Sequence, residues 1–351
     1  MSIKFSFGNE EEFLILAKQQ PVVMPLHQLQ AEPDCPTGQW SHEAHQGMLE
    51  HASPICHDLR ALYQHILQSR AFLSRVTQSM QLDLYCGGTH PSLEWTAMQM
   101  TPSYQVVVDE YQDSVKALTL FGMHTHIGIS DQHLLVQVFN AMRPYLAPLL
   151  ALSANSPFYR GRDTGLSSYR AMQFMLMPRT GTPPLISSVQ AELARIRDLI
   201  QRGSIHKTTS VWTDARLHPV YNTIEVRVCD MQTSPEEAAA LAVLTAAIAM
   251  WLAQQIATGQ HPETGDDWLL REDRWQAARR GLDATLQHQH AAETVIAFWQ
   301  RMLDNLAPLL HQQKVSQVAD TIKAMLLSGG GATIQRQGIK NNPLPQLALA
   351  Y

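Results

Sequence analysis

The sequence predicts an α+β protein in which a largely antiparallel sheet is covered by helices on one side. Three observations predict it. Residues 5–16, 121–130 and 223–230 each alternate between an apolar and a polar face. Strand and helix patterns do not follow one another as regular units. The C-terminal third is mostly helical in pattern. No repeat and no Gly-, Pro- or Ser-rich linker divides the 351 residues, so a single domain over 1–351 is expected.

Along residues 5–16, side chains repeat every two positions, so Ser6, Gly8, Glu10 and Glu12 share one face and Phe5, Phe7, Phe13 and Ile15 the other. Glu11 falls opposite Glu10 and Glu12. Residues 46–52 read as a strand carrying Glu50. Residues 59–80 hold Leu59, Leu62, Tyr63, Ile66 and Leu67 at helical spacing. A strand over 82–86 leads into the turn G-G-T-H-P. In residues 121–130, Met123, Thr125, Ile127 and Ile129 face one way and His124, His126, Gly128 and Ser130 the other. A helix with Leu134, Leu135, Val138, Phe139, Met142, Leu146 and Leu149 as its apolar stripe follows. Residues 223–230 place Ile224, Val226 and Val228 on a core face and Glu225, Arg227 and Cys229 on the other. Ser234-Pro235-Glu236-Glu237 then combines an N-cap Ser, Pro at the first helical position and Glu three residues after the cap. Helical patterns run over 273–286 and 291–310, and the chain ends in a Gly-rich, poorly patterned tail.

A net charge of -5 and a pI near 6.3 argue against a broad basic surface for nucleic acid. The four cysteines are scattered without a C-x-x-C pair, which fits neither a disulfide framework nor a thiolate zinc site and suits a reducing cytoplasm. The N-terminus runs directly into glutamates, so no export signal is expected. Residues 238–253 lack charges but fall short of the ~20 residues that cross a bilayer, so a buried core helix is expected there and no membrane partner.

Glu10, Glu12, Glu50 and Glu225 can each be placed on the polar face of a strand. Hard divalent cations are the simplest reason to gather carboxylates, which otherwise repel or take up protons. The alternative is pairing with Lys or Arg on a solvated sheet face. His124 and His126 form an H-x-H pair suited to zinc or to phosphate contacts, though zinc requires a third ligand such as His90 or a nearby Glu, and sixteen histidines make chance pairs common. The stretch Phe158-Tyr159-Arg160-Gly161-Arg162-Asp163-Thr164-Gly165, continuing to Arg170, reads as a guanidinium-rich loop for carboxylate or phosphate, or as salt bridges to Asp163. Trp212-Thr213-Asp214-Ala215-Arg216-Leu217-His218-Pro219 adds another Arg and another carboxylate. Gly87-Gly88 offers a close backbone approach for phosphate, but P-loop, dinucleotide-binding and G-x-S-x-G motifs are all lacking.

Taken in order, G-N-E-E-E-F, G-G-T-H-P, F-G-M-H-T-H-I-G-I, S-P-F-Y-R-G-R-D-T-G, W-T-D-A-R-L-H-P, T-I-E-V-R-V-C-D and R-W-Q-A-A-R-R-G-L-D-A resemble the type 2 glutamate-cysteine ligase family, the YbdK-like carboxylate-amine ligases. The resemblance covers roughly residues 5–283, with an echo at Gln335-Arg336. It implies a glutamine-synthetase-like fold, in which a curved, largely antiparallel sheet forms a funnel with helices packed outside. It implies a cytoplasmic enzyme of glutathione biosynthesis that joins glutamate to cysteine, or to a related amine, with ATP as co-substrate and Mg2+ or Mn2+ as cofactor. Its partners would be small molecules and, in a homodimer, a second copy of the chain. The resemblance assigns metal binding to Glu10, Glu12, Glu50 and Glu225, catalysis to Glu225 and Arg227, and substrate or ATP binding to His124, His126, Arg160, Arg162, Arg170, Arg216 and Arg336. Asn9 departs from the small or apolar residue common before the glutamates. Two rival classes remain: a metal-dependent hydrolase built on His124, His126 and the glutamates, and a non-catalytic nucleotide or amino-acid sensor.

Overall fold

The computed structural model describes residues 3–341 except 94–96, 99, 219 and 288–290, so Pro219 of the Trp212 motif and the last ten residues lie outside it. Its centre is an eight-stranded sheet of β1 (Phe5–Ala17), β2 (Gln20–Pro21), β3 (Gln39–His42), β4 (Met48–Ala52), β5 (Asp83–Tyr85), β6 (Gly122–Ile129), β7 (Ala215–Leu217) and β8 (Ile224–Asp230). The order is β7-β8-β6-β1-β4-β3, β2 and β5 pair with the far end of β1, and every pairing in this sheet is antiparallel. This is the predicted α+β arrangement.

The long helices are α1 (Leu59–Ser79), α2 (Gln132–Ser153), α3 (Pro235–Ala257), α4 (Asp267–Arg280), α5 (Val295–Gln312), α6 (Gln317–Ser328) and α7 (Gly330–Asn341). Asp58, Asp131 and Ser234 cap α1, α2 and α3, accepting hydrogen bonds from the first-turn N–H groups that have no helical partner. The Ser-Pro-Glu-Glu signature therefore marks a helix start as expected. The helix α3 is apolar all round, and its small alanines let α1, α2 and α6 approach closely. It is long and apolar enough to cross a membrane, but 78% of that window is buried inside the protein, so it is a core helix.

The apolar face of the sheet, with Phe7, Phe13, Ile15, Met123, Ile127 and Val226, packs with these helices into one core. One predicted placement is corrected. A bulge between Val226 and Cys229 puts an extra residue into β8, so Cys229 pairs with Met123 and joins the core instead of sharing the face of Glu225 and Arg227. The C-terminal expectations are corrected too. The pattern over 273–286 breaks at Gly281, whose φ of 56° ends α4, and a short strand precedes α5. Within the described part of that tail, residues 317–341 form α6 and α7. Gly329 and Gly330, at φ 82° and 73°, reverse the chain between them. The returning helix then docks through Ala332 N–H to Ala154 O at 3.0 Å and Gln335 Nε2 to Asn155 Oδ1 at 2.7 Å.

Candidate active site

Antiparallel register aligns the acidic positions of the sheet's other face. Glu10 lies opposite His124, Glu12 opposite Glu50, His126 opposite Glu225, and Glu225 opposite Arg216. Directly opposed side chains stand about 5 Å apart at Cβ, so one continuous polar patch spans β7, β8, β6, β1 and β4. The solvated ion-pair alternative fails because the patch is largely buried.

Its two ends carry charge differently. Glu225 is fully buried between two guanidiniums. Arg216 donates from Nε at 2.7 Å and Nη2 at 3.1 Å, and Arg227 donates to Oε1. Burial pushes this carboxyl up, but Arg227 and Arg216 outweigh it and hold Glu225 ionised. Glu10 is also held ionised against its burial, by His124 Nδ1 at 3.0 Å and His126 Nε2 at 3.2 Å. Burial, with Arg227 nearby, pulls His124 down to about 4, so it is neutral at pH 7 and donates Nδ1–H to Glu10.

At the other end the carboxyls lack cations. Burial raises Glu12 to about 7 even with the Arg170 charge opposing it, and its Oε2 accepts from Gly122 N–H at 2.5 Å. Glu50 accepts from the Ser41 hydroxyl at 3.4 Å, and burial followed by repulsion from Glu43, Glu10 and Glu12 pushes it well up. Glu43 was not singled out by the sequence, because it sits in the loop after β3, where no periodicity marks a face. Burial and Glu10 push it up as well, and it accepts from Tyr104 Oη at 3.2 Å. His218 was also passed over as a site residue: Nε2 lies 4.0 Å from Glu225 Oε2, and its ring stacks on Tyr221 at 4.3 Å beside His126.

The expected arginines divide. Arg216 and Arg227 join the patch. Arg170 lines a cavity beside it, but its guanidinium reaches the Arg227 and Val228 carbonyls at 3.3 and 3.5 Å and fills the space over Gly122 that any Cβ would occupy. Arg160 and Arg162 are exposed on the Phe158–Tyr159/Arg162–Asp163 hairpin, where Arg160 lies over the Tyr159 ring. Asp163 captures Arg336 through two 2.9 Å bonds, so that residue lines a different cavity, with Arg279 and Arg280. The salt bridge that Asp163 makes is thus to Arg336 of the last helix. Gly87-Gly88 likewise serves packing: a Cβ would strike Tyr85 at Gly87 and Asp230 at Gly88. Among the described residues the group that could hold a metal is Glu10, His126 and Glu225, without His90, whose Nδ1 accepts from the N–H groups of Ser92 and Leu93.

Residues 6–341 match the sequence profile of Glutamate-cysteine ligase family 2. The chain belongs to that family. A relative from Herpetosiphon aurantiacus, provisionally named glutamate–cysteine ligase 2, is 35% identical over 71% of this chain and 65% of its own length. One from Sorangium cellulosum with the same provisional name is 33% identical over 81% of this chain and 77% of its own. The first match thus spans slightly less than two thirds of the relative. Among solved structures, the glutamate–cysteine ligase of Francisella tularensis in complex with AMP superposes with TM-score 0.68 at 11% identity, over 99% of this chain and 87% of that one. A bifunctional glutathione synthetase from Pasteurella multocida gives 0.66 at 14%, over 99% and 51%. At such low identity they show the fold, and the funnel-type sheet with outer helices expected of the family is the one observed.

Glu10, Glu12, Glu43, Glu50 and Glu225 bring oxygen ligands together, and the raised Glu12, Glu43 and Glu50 carboxyls lack the positive charge that would ionise them. This fits a hard divalent cation. Glu10, His126 and Glu225 offer donor atoms within 4.8 Å of one another, and the Glu225 oxygens also accept from Arg216 and Arg227. His124 Nε2 and Arg227 Nε are buried without a protein partner, as groups reserved for a ligand would be.

Proposed function

We propose that this chain, a single domain over 1–351, is an ATP- and Mg2+-dependent carboxylate–amine ligase. It joins the γ-carboxylate of glutamate to cysteine or a related amine and releases ADP and phosphate. The observation that carries this reading is the carboxylate surplus at Glu12, Glu43 and Glu50 beside the Arg-clamped Glu225, in a chain of this family.

The substrate carboxylate oxygen attacks the γ-phosphorus, and the bond from that phosphorus to the ADP oxygen breaks. The amine nitrogen then attacks the acyl carbon, the bond to phosphate breaks, and the amine loses a proton. Glu10, Glu12, Glu50 and Glu225 would hold the cation, with Glu43 completing the set. When bound, it supplies positive charge against the phosphoryl oxygens. Arg227 is placed to receive those oxygens through its partnerless Nε, and Glu225 fixes its guanidinium plane. His124 and His126 orient Glu10. Arg216 holds Glu225 from behind while donating to the carbonyls of Thr209 and Val211 at 2.6 and 2.8 Å. Arg160, Arg162, Arg170 and Arg336 remain proposed contacts to substrate or ATP, with Arg170 the best placed. No cysteine nucleophile is needed, and burial raises the Cys56 and Cys229 thiols to about 11. We place the reaction in the cytoplasm.

The test is ADP release across a panel of amino-acid and amine pairs, with product masses identified. Glutamate- and amine-dependent ADP with a condensed product is expected. Hydrolysis without ATP, or stoichiometric binding without ADP, would overturn the reading in favour of the hydrolase or the sensor.

A further inference from the structure

Beside the carboxylates, a cavity of about 180 Å3 runs into the protein between β6 and the helix Pro102–Tyr111. Its near end is Glu12, Glu43, His124 and Arg227, and its wall is Val107, Val115, Leu118, Phe174, Met177 and Trp212. Val115 and Met177 are buried in a small apolar cluster separate from the main core, so this wall is assembled around the cavity. We propose that the cavity binds the acceptor amine and selects one bearing a compact apolar group.

The inference rests on the ligase reading and deepens it. One charged end, which Arg170 also lines, and one apolar wall ask for a ligand of the same layout. Phosphate chains gain nothing from an apolar wall, whereas buried apolar surface is worth ~25 cal/mol per Å2. Adenine is apolar enough to use the wall too. A neutral base is better served on the opposite flank, where His218 and Tyr221 stack at 4.3 Å and Tyr221 is 61% exposed, an open aromatic shelf beside Glu225. The buried, partnerless Arg227 Nε and His124 Nε2 line the interface between metal-binding carboxylates and cavity, where the amine would meet the activated acyl group. At ~10–15 Å3 for each water-sized position, the volume exceeds what a thiol group fills.

The experiment measures ADP release by the full-length protein with saturating glutamate and MgATP, using alanine, cysteine, methionine, leucine and phenylalanine as acceptors. The expected result is a kcat/KM that rises at least about tenfold from alanine to the best apolar acceptor, the scale of one or two methylenes in an apolar pocket. Leu118→Asn should erase that preference while leaving KM for ATP and glutamate within about twofold, and Leu118→Met should keep it. Equal kcat/KM across the acceptors, or a Leu118→Asn protein whose ATP KM rises instead, overturns the proposal. The second result would make the cavity an adenine pocket. ADP release that ignores the acceptor's apolar volume defeats this inference alone, whereas no ADP release with any acceptor defeats the ligase reading and this inference with it.

Discussion

The two faces of the central sheet both bury glutamate, yet they treat it in opposite ways. On the helix-covered face, Glu11 is 1% exposed and meets a single cation, Arg70, at 2.9 Å; Arg70 is anchored in turn by the Gln232 carbonyl at 2.6 Å. Each charge there has a partner, as a buried pair requires. The open face gathers Glu10, Glu12, Glu43, Glu50 and Glu225 around Arg216 and Arg227, and its carboxyls divide into an ionised end and an end pushed towards protonation. Burial pushes the Glu11 carboxyl up as well, so the faces differ in their partners: one carboxylate with its own arginine on one, several carboxylates around two arginines on the other. Three residues in a row on β1 therefore have two different purposes.

The largest expected effect breaks the balanced face. Arg70→Met strands Glu11 in the core and should destabilise the protein by about 3–5 kcal/mol, read by urea unfolding. A loss below about 1 kcal/mol would show that the helix face does not need its pair. Next, Glu225→Gln removes the clamped charge with little change of volume. It should cut Mg2+-dependent ADP release by about 100-fold or more, roughly 2.7 kcal/mol, with unchanged far-UV circular dichroism. Near-normal turnover would sink the assignment of this site.

Smaller effects sharpen the contrast. Arg227→Lys should lower kcat about tenfold, since an ammonium cannot hold Glu225 and also present a second planar donor; a change under about threefold counts against it. The smallest effect is a pH dependence. The Glu12 carboxyl lies at about 7 in the fold against an ordinary 4.5, so the folded protein binds the extra proton between those values. Without metal, stability should therefore fall as pH rises from about 4.5 through about 7. Added Mg2+ should raise Tm more at pH 8 than at pH 5.5, because binding to the native state stabilises it. A Mg2+ effect independent of pH, or one unchanged in Glu12→Gln, would contradict a surplus relieved by a cation.

Much of this was legible in the sequence. Period-two alternation separated Glu11 from Glu10 and Glu12, and the Ser234 cap marked α3, because both depend on local geometry that neighbouring residues fix. Asn9, the departure from the family pattern, sits on the Glu11 face, donating its N–H to Ser53 Oγ at 2.9 Å and accepting from Thr125 at 3.3 Å. The partner of Asp163 was not legible, because composition cannot say that a carboxylate in this loop will hold Arg336 from the last helix.

By itself, then, the sequence determined which residues carry charge, which face of each strand they occupy, and the family. Only the tertiary structure decided that Glu43 joins the carboxylates from a loop, that the bulge sends Cys229 into the core, that the glycine tail is two docked helices, and that Gly88 exists for Asp230. Those outcomes depend on register and packing between segments distant in the chain, and no local periodicity encodes them.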